Sequence, residues 1–323
     1  MIEFLTAPFE LGFQQRALWG GLVAALMCSV VGTWLVLRGM SFFGDAFVHG
    51  VMPGIATAVL LGGNVYLGAA IAAVVMLAGI SLVHRATTLK EDTGIGLLFV
   101  GMMALGVVII SLSSSYTGAL TSILFGDALG VSAEHLRVQA VLAGAVILLS
   151  VLLYRPLLAL SFSPEKATAL GMRPQLTHVL LLVMIGAAVI ASFQAVGTVL
   201  VFGLLVGPPA TAALLARTVP AMMVLAALIG AASVTLGLII SFHAGTAASA
   251  TMALVPIVVF FLVLASQALV RLLRTRGRRA AARRGSSAAA RRRSGEGVLS
   301  PEAQPSVKSG AAPLTQGHGQ VRG

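Results

Sequence analysis

Hydrophobic positions in this chain come in long blocks, and most charged residues fall between them. Nine apolar runs can be drawn: Ala17–Leu37, Phe42–Leu61, Val65–Val83, Gly94–Leu112, Leu136–Tyr154, His178–Phe193, Val196–Ala216, Pro220–Ser241 and Thr251–Val270. About 20 apolar residues in helical form cross the hydrocarbon of a bilayer. Every run except His178–Phe193 meets that length, and the short one is expected to tilt, kink or pack inside protein. The expected fold is therefore all-α, a polytopic transmembrane helical bundle of nine spans. An eight-span bundle with one re-entrant run and the N-terminus inside is the alternative.

Composition supports the membrane assignment. Of the 323 residues, 58% are hydrophobic and 10% charged, with a mean hydropathy of +1.00, which excludes a soluble domain. Glycine is abundant at 36 residues, as suits helices that pack closely in lipid. The single cysteine, Cys28, excludes an internal disulfide and a Cys-based metal site. Residues 1–15 show neither a basic start nor a cleavage site, so no removable signal peptide is expected.

The net charge of +11 is unevenly placed. Of 21 Lys and Arg, 12 lie from Arg271 onward, against only Glu296 and Glu302 there. Residues 1–270 then hold nine basic and eight acidic groups and are close to neutral. If the tail is cytoplasmic, Arg38, Arg85, Lys90, Arg155, Lys166, Arg173 and Arg217 also face the cytoplasm, and Arg16 and Arg137 face out. That is a positive-inside bias, and it puts the N-terminus outside. Residues 1–16 read as an extracytoplasmic segment, 17–270 as the membrane domain, and 271–323 as a disordered basic tail. Tethered under a membrane, the tail's Arg clusters are expected to meet anionic lipid and not nucleic acid.

Two connections are longer than turns. Residues 113–135 contain the moderately apolar stretch 116–126, which suits a re-entrant or interfacial helix. Residues 155–177 read as a cytoplasmic connection carrying a short helix, with Ser163 as cap, Pro164 at its first position, and Gly171 and Pro174 ending it. That helix is either a docking element or an ordinary loop helix.

The stretch with the most chemistry is Met40–Gly54, where Asp45 and His49 stand four residues apart inside an apolar run. On a helix they share a face. A carboxylate and an imidazole both ligate divalent cations. An Asp within hydrocarbon costs about 2.5–3.5 kcal/mol on insertion scales, which marks it as functional. The opposing reading puts Asp45 at a helix end, solvated or capping, with His49 bonded to a carbonyl. His243, after a long apolar run on the outer side, is a further candidate ligand at the ion entrance. Pro53, Pro208, Pro209 and Pro256 interrupt helices and create hinges. No phosphate loop, His-Glu-x-x-His or Gly-x-Ser-x-Gly is present, so the chain is read as no enzyme.

The segment Val36–Gly54 resembles the signature of the ABC-3 family, the membrane permeases of zinc, manganese and iron ABC importers. Similar matches follow in order at Glu91–Gly96, Leu124–Gly126, Ser163–Gly171, Gln194–Gly197 and Leu204–Ala212, within roughly residues 17 to 270. The chain departs from the family at His49-Gly50, usually His-Ala, and in its long basic tail. The resemblance implies a type II importer fold and a permease homodimer with two cytoplasmic ATPase subunits and an extracytoplasmic metal-binding protein. It places Asp45 and His49 in the metal path. It also makes Pro164, Glu165, Ala167, Leu170 and Gly171 the segment that couples to the ATPase. The expected function is the plasma-membrane permease subunit of an importer for a divalent metal, zinc ahead of manganese, with no permanently bound cofactor. The alternative is a proton-coupled secondary carrier using Asp45 and His49 as relay.

Overall fold

In the computed structural model, residues 12–86, 91–112, 132–162, 167–168 and 171–295 are described. Among them the elements are all α-helical. They are α1 (Gly12–Leu37), α2 (Ser41–Gly50), α3 (Met52–Leu60), α4 (Val65–Ala86), α5 (Glu91–Ser111), α6 (Ala133–Leu152), α7 (Tyr154–Phe162), α8 (Pro174–Leu215), α9 (Val219–Ala244) and α10 (Ala248–Gly295). Nine helical stretches among the described residues are long and apolar enough to cross a membrane. The stretches 113–131, 163–166 and 169–170 lie outside the described residues, and with them the expected re-entrant segment and the residues Pro164, Glu165 and Leu170.

α1 is the helix around which the others are laid. Its Ala24, Ala25, Met27, Cys28, Val31, Trp34 and Leu35 are fully buried. Lipid is as apolar as leucine, so helices in a bilayer gain little from hiding apolar surface. They associate through close packing, which small residues permit. Gly32 shows this directly: a Cβ there would run into the carbonyl of Leu205 and the ring of Pro209, so α1 and α8 touch backbone to backbone. Gly54 and Gly68 do the same for α3 and α4, each occupying the space a Cβ on the other would need.

Polar contacts between helices fix their directions. The Gln139 amide donates to the Gly20 carbonyl (3.0 Å) and the Trp34 indole N–H donates to Ser150 Oγ (2.8 Å), so α1 and α6 run parallel. Arg38 at the end of α1 bonds His178 near the start of α8, so the first half of α8 runs antiparallel to α1. Its second half runs parallel to α1, because Leu205 meets Gly32 and the cluster that holds Ala212 packs against Val36 and Leu37. The reversal falls at Gly197, whose φ of 75° and ψ of 165° belong to glycine alone. A straight helix of 42 residues would be about 63 Å long, and the turn divides it into the spans Pro174–Phe193 and Val196–Leu215. The run read as short from sequence gains a full turn because the helix starts at Pro174.

These directions alternate through the bundle and leave two distinct ends. Arg38, Arg155, Arg173 and Arg217 lie toward one end, and Arg16 and Arg137 toward the other, the division expected from the charge pattern.

The chain divides into one unit through Gln267 and a second from Ala268. The described part of the second unit is the continuation of α10 through Gly295. A disordered tail was expected from residue 271, yet its first part is helical. Alanine and arginine are among the strongest helix formers, so a local helix forms there without a core. Residues 296–323 lie outside the described residues.

Gly32→Ala should lower the melting temperature of the detergent-purified protein, with a cost of about 1–3 kcal/mol from forced overpacking. Gly144→Ala, where a Cβ meets nothing within 4 Å, should be neutral or stabilising by up to about 1 kcal/mol. Equal melting temperatures for wild type and the Gly32 variant would contradict the backbone contact.

Candidate metal site

The site helix α2 begins almost without a loop. Gly39, at φ 68°, ends α1: its N–H donates to the Val36 carbonyl (3.0 Å), and the Met40 N–H donates to Leu35 (3.1 Å). This paired closure needs a left-handed residue, which glycine supplies without strain. α2 starts at Ser41, two residues later.

α2 is pinned on its inner face. Phe43, Gly44, Ala46, Phe47 and Val48 are buried, with Gly44 against Leu205 and Phe47 against Gly186. The helix then breaks at Val51 before resuming as α3. Pro53 has no N–H to give the His49 carbonyl, so the ladder is interrupted one turn after the histidine. The apolar run Phe42–Leu61 is thus two short helices in one candidate span, Ser41–Leu60.

Asp45 and His49 occupy the face that the packing leaves open, 27% and 22% exposed. His49 Nε2 stands 3.6 Å from Asp45 Oδ1, and the ring packs edge-on against Phe99 with centroids 5.8 Å apart. The separation is long for a hydrogen bond. It suits two donors on one ion: an oxygen and a nitrogen each about 2.1 Å from a tetrahedral metal stand about 3.4 Å apart. His49 Nδ1 is buried and has no hydrogen-bond partner among the described residues. The carbonyl bond of the bland alternative is therefore not made by that nitrogen. Ligation through Nε2 would put the ring proton on Nδ1.

No group of three or more His, Cys, Asp or Glu side chains able to hold a metal occurs among the described residues. His243 is not brought to the pair. It sits in the last turn of α9, its Nδ1 2.9 Å from the Ile239 carbonyl and its ring edge-on to Phe242. α9 runs antiparallel to α1, since Gly230 meets Ala25 and Val234 meets Gly21. His243 therefore lies toward the Arg16 end, whereas Asp45 is one helical turn from the Arg38 end.

Of the expected coupling residues, Ala167 and Gly171 are described. Ala167 is 1% exposed. Gly171 has φ 74°; its N–H donates to Thr168 (3.0 Å) and the Met172 N–H to Ala167 (3.0 Å), the same closure as at Gly39. α8 begins three residues on. Sequence reasoning singled out neither Arg38 nor His178 as partners. They are 140 residues apart and joined at 2.7 Å, and no local pattern announces such a bond.

Structurally this is a bundle of helices long and apolar enough to cross a membrane, with a carboxylate–imidazole pair on a broken helix. The chain belongs to the ABC 3 transport family, whose sequence profile it matches over residues 10–267. It is 36% identical over 259 residues to the manganese transport system membrane protein MntC of Listeria innocua, covering 80% of this chain and 92% of that one. It is 33% identical over 243 residues to the chelated iron transport system membrane protein YfeD of Yersinia pestis, covering 75% and 82%. Among solved structures, PsaBC from Streptococcus pneumoniae in complex with Fab matches with a TM-score of 0.74 and 32% identity, over 81% of this chain and 95% of that one.

Proposed function

We propose that this permease carries a divalent transition metal into the cytoplasm, driven by ATP hydrolysis on separate partner chains, with Asp45 and His49 as ligands in its path. The observation that carries the reading is the placement of these two donors 3.6 Å apart on the open face of an otherwise buried helix. Facing hydrocarbon, an ionised Asp would be costly, so the face belongs against water or protein. A two-fold dimer meets that requirement. A symmetric interface duplicates each residue, so two pairs supply two carboxylates and two imidazoles about one axis.

The mixed oxygen–nitrogen set suits zinc as a tetrahedron, or manganese with added water. The names of the relatives speak for manganese and iron, so manganese, and not the zinc expected first, is the favoured cargo here and iron its competitor. Holding must be transient, because a closed high-affinity cage would trap the ion. A rocking of the two halves would open the site inward. The segment 163–171 is taken as the part that docks the ATPase, and an extracytoplasmic metal-binding protein would deliver the ion. The division of arginines between the bundle's ends favours a cytoplasmic face at the Arg38 end. The family match speaks against the proton-coupled carrier.

Asp45→Asn keeps size and a carbonyl oxygen but removes the charge that attracts a dication, and His49→Ala removes the nitrogen donor. Each substitution deletes two ligands from a dimer. Manganese uptake into vesicles carrying the full complex should therefore collapse. Protein yield should hold or rise, because removing a charge lowers the cost of insertion. Full uptake by either variant at wild-type protein level would remove the pair from the path. In a separate experiment, Glu165→Arg should weaken co-purification of the ATPase while leaving membrane insertion intact. Unchanged complex yield and ATPase stimulation would return this segment to an ordinary loop.

A further inference from the structure

Two closed turns in this fold stand at functionally different places and are tied to one another. The first, at Gly39, sets the direction of α2 and hence of Asp45 and His49. The second, at Gly171, ends the segment proposed to dock the ATPase. Each is closed by a pair of backbone hydrogen bonds of 3.0–3.1 Å. From Gly171 the chain reaches α8 at Pro174, and His178 follows one turn later. From Gly39 it reaches α2 at Ser41, and Asp45 follows one turn later.

Between these turns lies a side-chain bond. Arg38 precedes Gly39, and its Nη1 is 2.7 Å from Nδ1 of His178. The guanidinium can only donate, so Nδ1 is the acceptor and the imidazole is neutral, with its proton on Nε2. Both side chains are half-buried. A short, charge-assisted bond of this kind has a preferred direction and resists displacement more than apolar contact does.

We propose that Arg38 and His178 are positioning residues that transmit movement of the docking segment to the pivot of the helix that carries the metal ligands. The inference rests on the functional reading above, since it takes 163–171 as the docking segment and Asp45–His49 as the metal-binding pair. A displacement at Gly171 carries α8 with it, and the His178–Arg38 bond moves the junction from which α2 departs. Neither residue touches the ion. A link that merely held the fold together would affect the amount and stability of the protein. A link that transmits motion sets how many ions cross for each ATP hydrolysed.

The test uses the full complex in vesicles, with ATP hydrolysis and manganese uptake measured on the same preparation. His178→Leu and Arg38→Met should hydrolyse ATP while uptake per ATP falls at least about fivefold, the lower range of a coupling between two sites. The double variant should lose less than the two single losses combined, because both remove the same bond. His178→Asn places an acceptor oxygen where Nδ1 was and should restore most of the coupling. Should the Leu variant fail to assemble, His178→Gln takes its place, since its carbonyl reaches the position of Nε2 instead. Wild-type uptake per ATP in the Leu or Met variant would overturn the proposal. Uptake and hydrolysis falling together with the melting temperature would also overturn it, as would an Asn variant no better coupled than the Leu or Gln variant. A wild-type complex that hydrolyses ATP and moves no metal would instead overturn the functional reading.

Discussion

The closeness of α1 to its neighbours governs everything else in this molecule. In lipid the gain from helix association comes from contact, and contact is limited by the largest atom between two backbones. Gly32 removes that atom opposite the Leu205 carbonyl, and the buried face of α1 then receives both halves of α8 and one face of α9. Because α8 reverses at Gly197, its two halves bracket α1 and return the chain to the Arg38 end. The polar bonds at Gly20, Trp34 and Arg38 add register to this packing.

The site inherits its position from that core. α2 leaves α1 through a two-bond turn and is pressed inward through Gly44 and Phe47, which turns Asp45 and His49 to the opposite side. An amphipathic half-helix results, although its polar face holds little beyond a carboxylate, an imidazole and Ser41. The interruption at Val51 separates the site segment from α3, which is tied to α4 through Gly54 and Gly68. In the proposed reading that break is where the ligands would shift relative to the rigid contacts of α3.

Much of this was legible in the sequence, and the reasons differ from element to element. The spans are legible because a bilayer demands length and apolarity regardless of partners, so the runs reappear with ends shifted by a few residues. The shared face of Asp45 and His49 follows from helical spacing alone, and Gly171 as a helix end follows from its freedom to adopt positive φ. What depends on distant chain was not legible. The reversal at Gly197 hides inside an apolar stretch, and the Arg38–His178 bond joins residues that no local pattern relates. His243 lies toward the Arg16 end, the side expected for it, and apart from the Asp45–His49 pair. The helix through the basic tail shows the opposite limit, since local propensity there suffices where composition had suggested disorder.

The central claim is that two copies of the Asp45–His49 pair converge on one ion. Binding stoichiometry tests it most directly, because a site within one protomer and a site shared across a two-fold axis differ by a factor of two. Free aqueous manganese can be titrated by electron paramagnetic resonance against the purified permease at known chain concentration. The account predicts saturation at about one ion for every two chains, with that binding abolished by Asp45→Asn. Saturation at one ion per chain, or binding unchanged in the Asn variant, would contradict it.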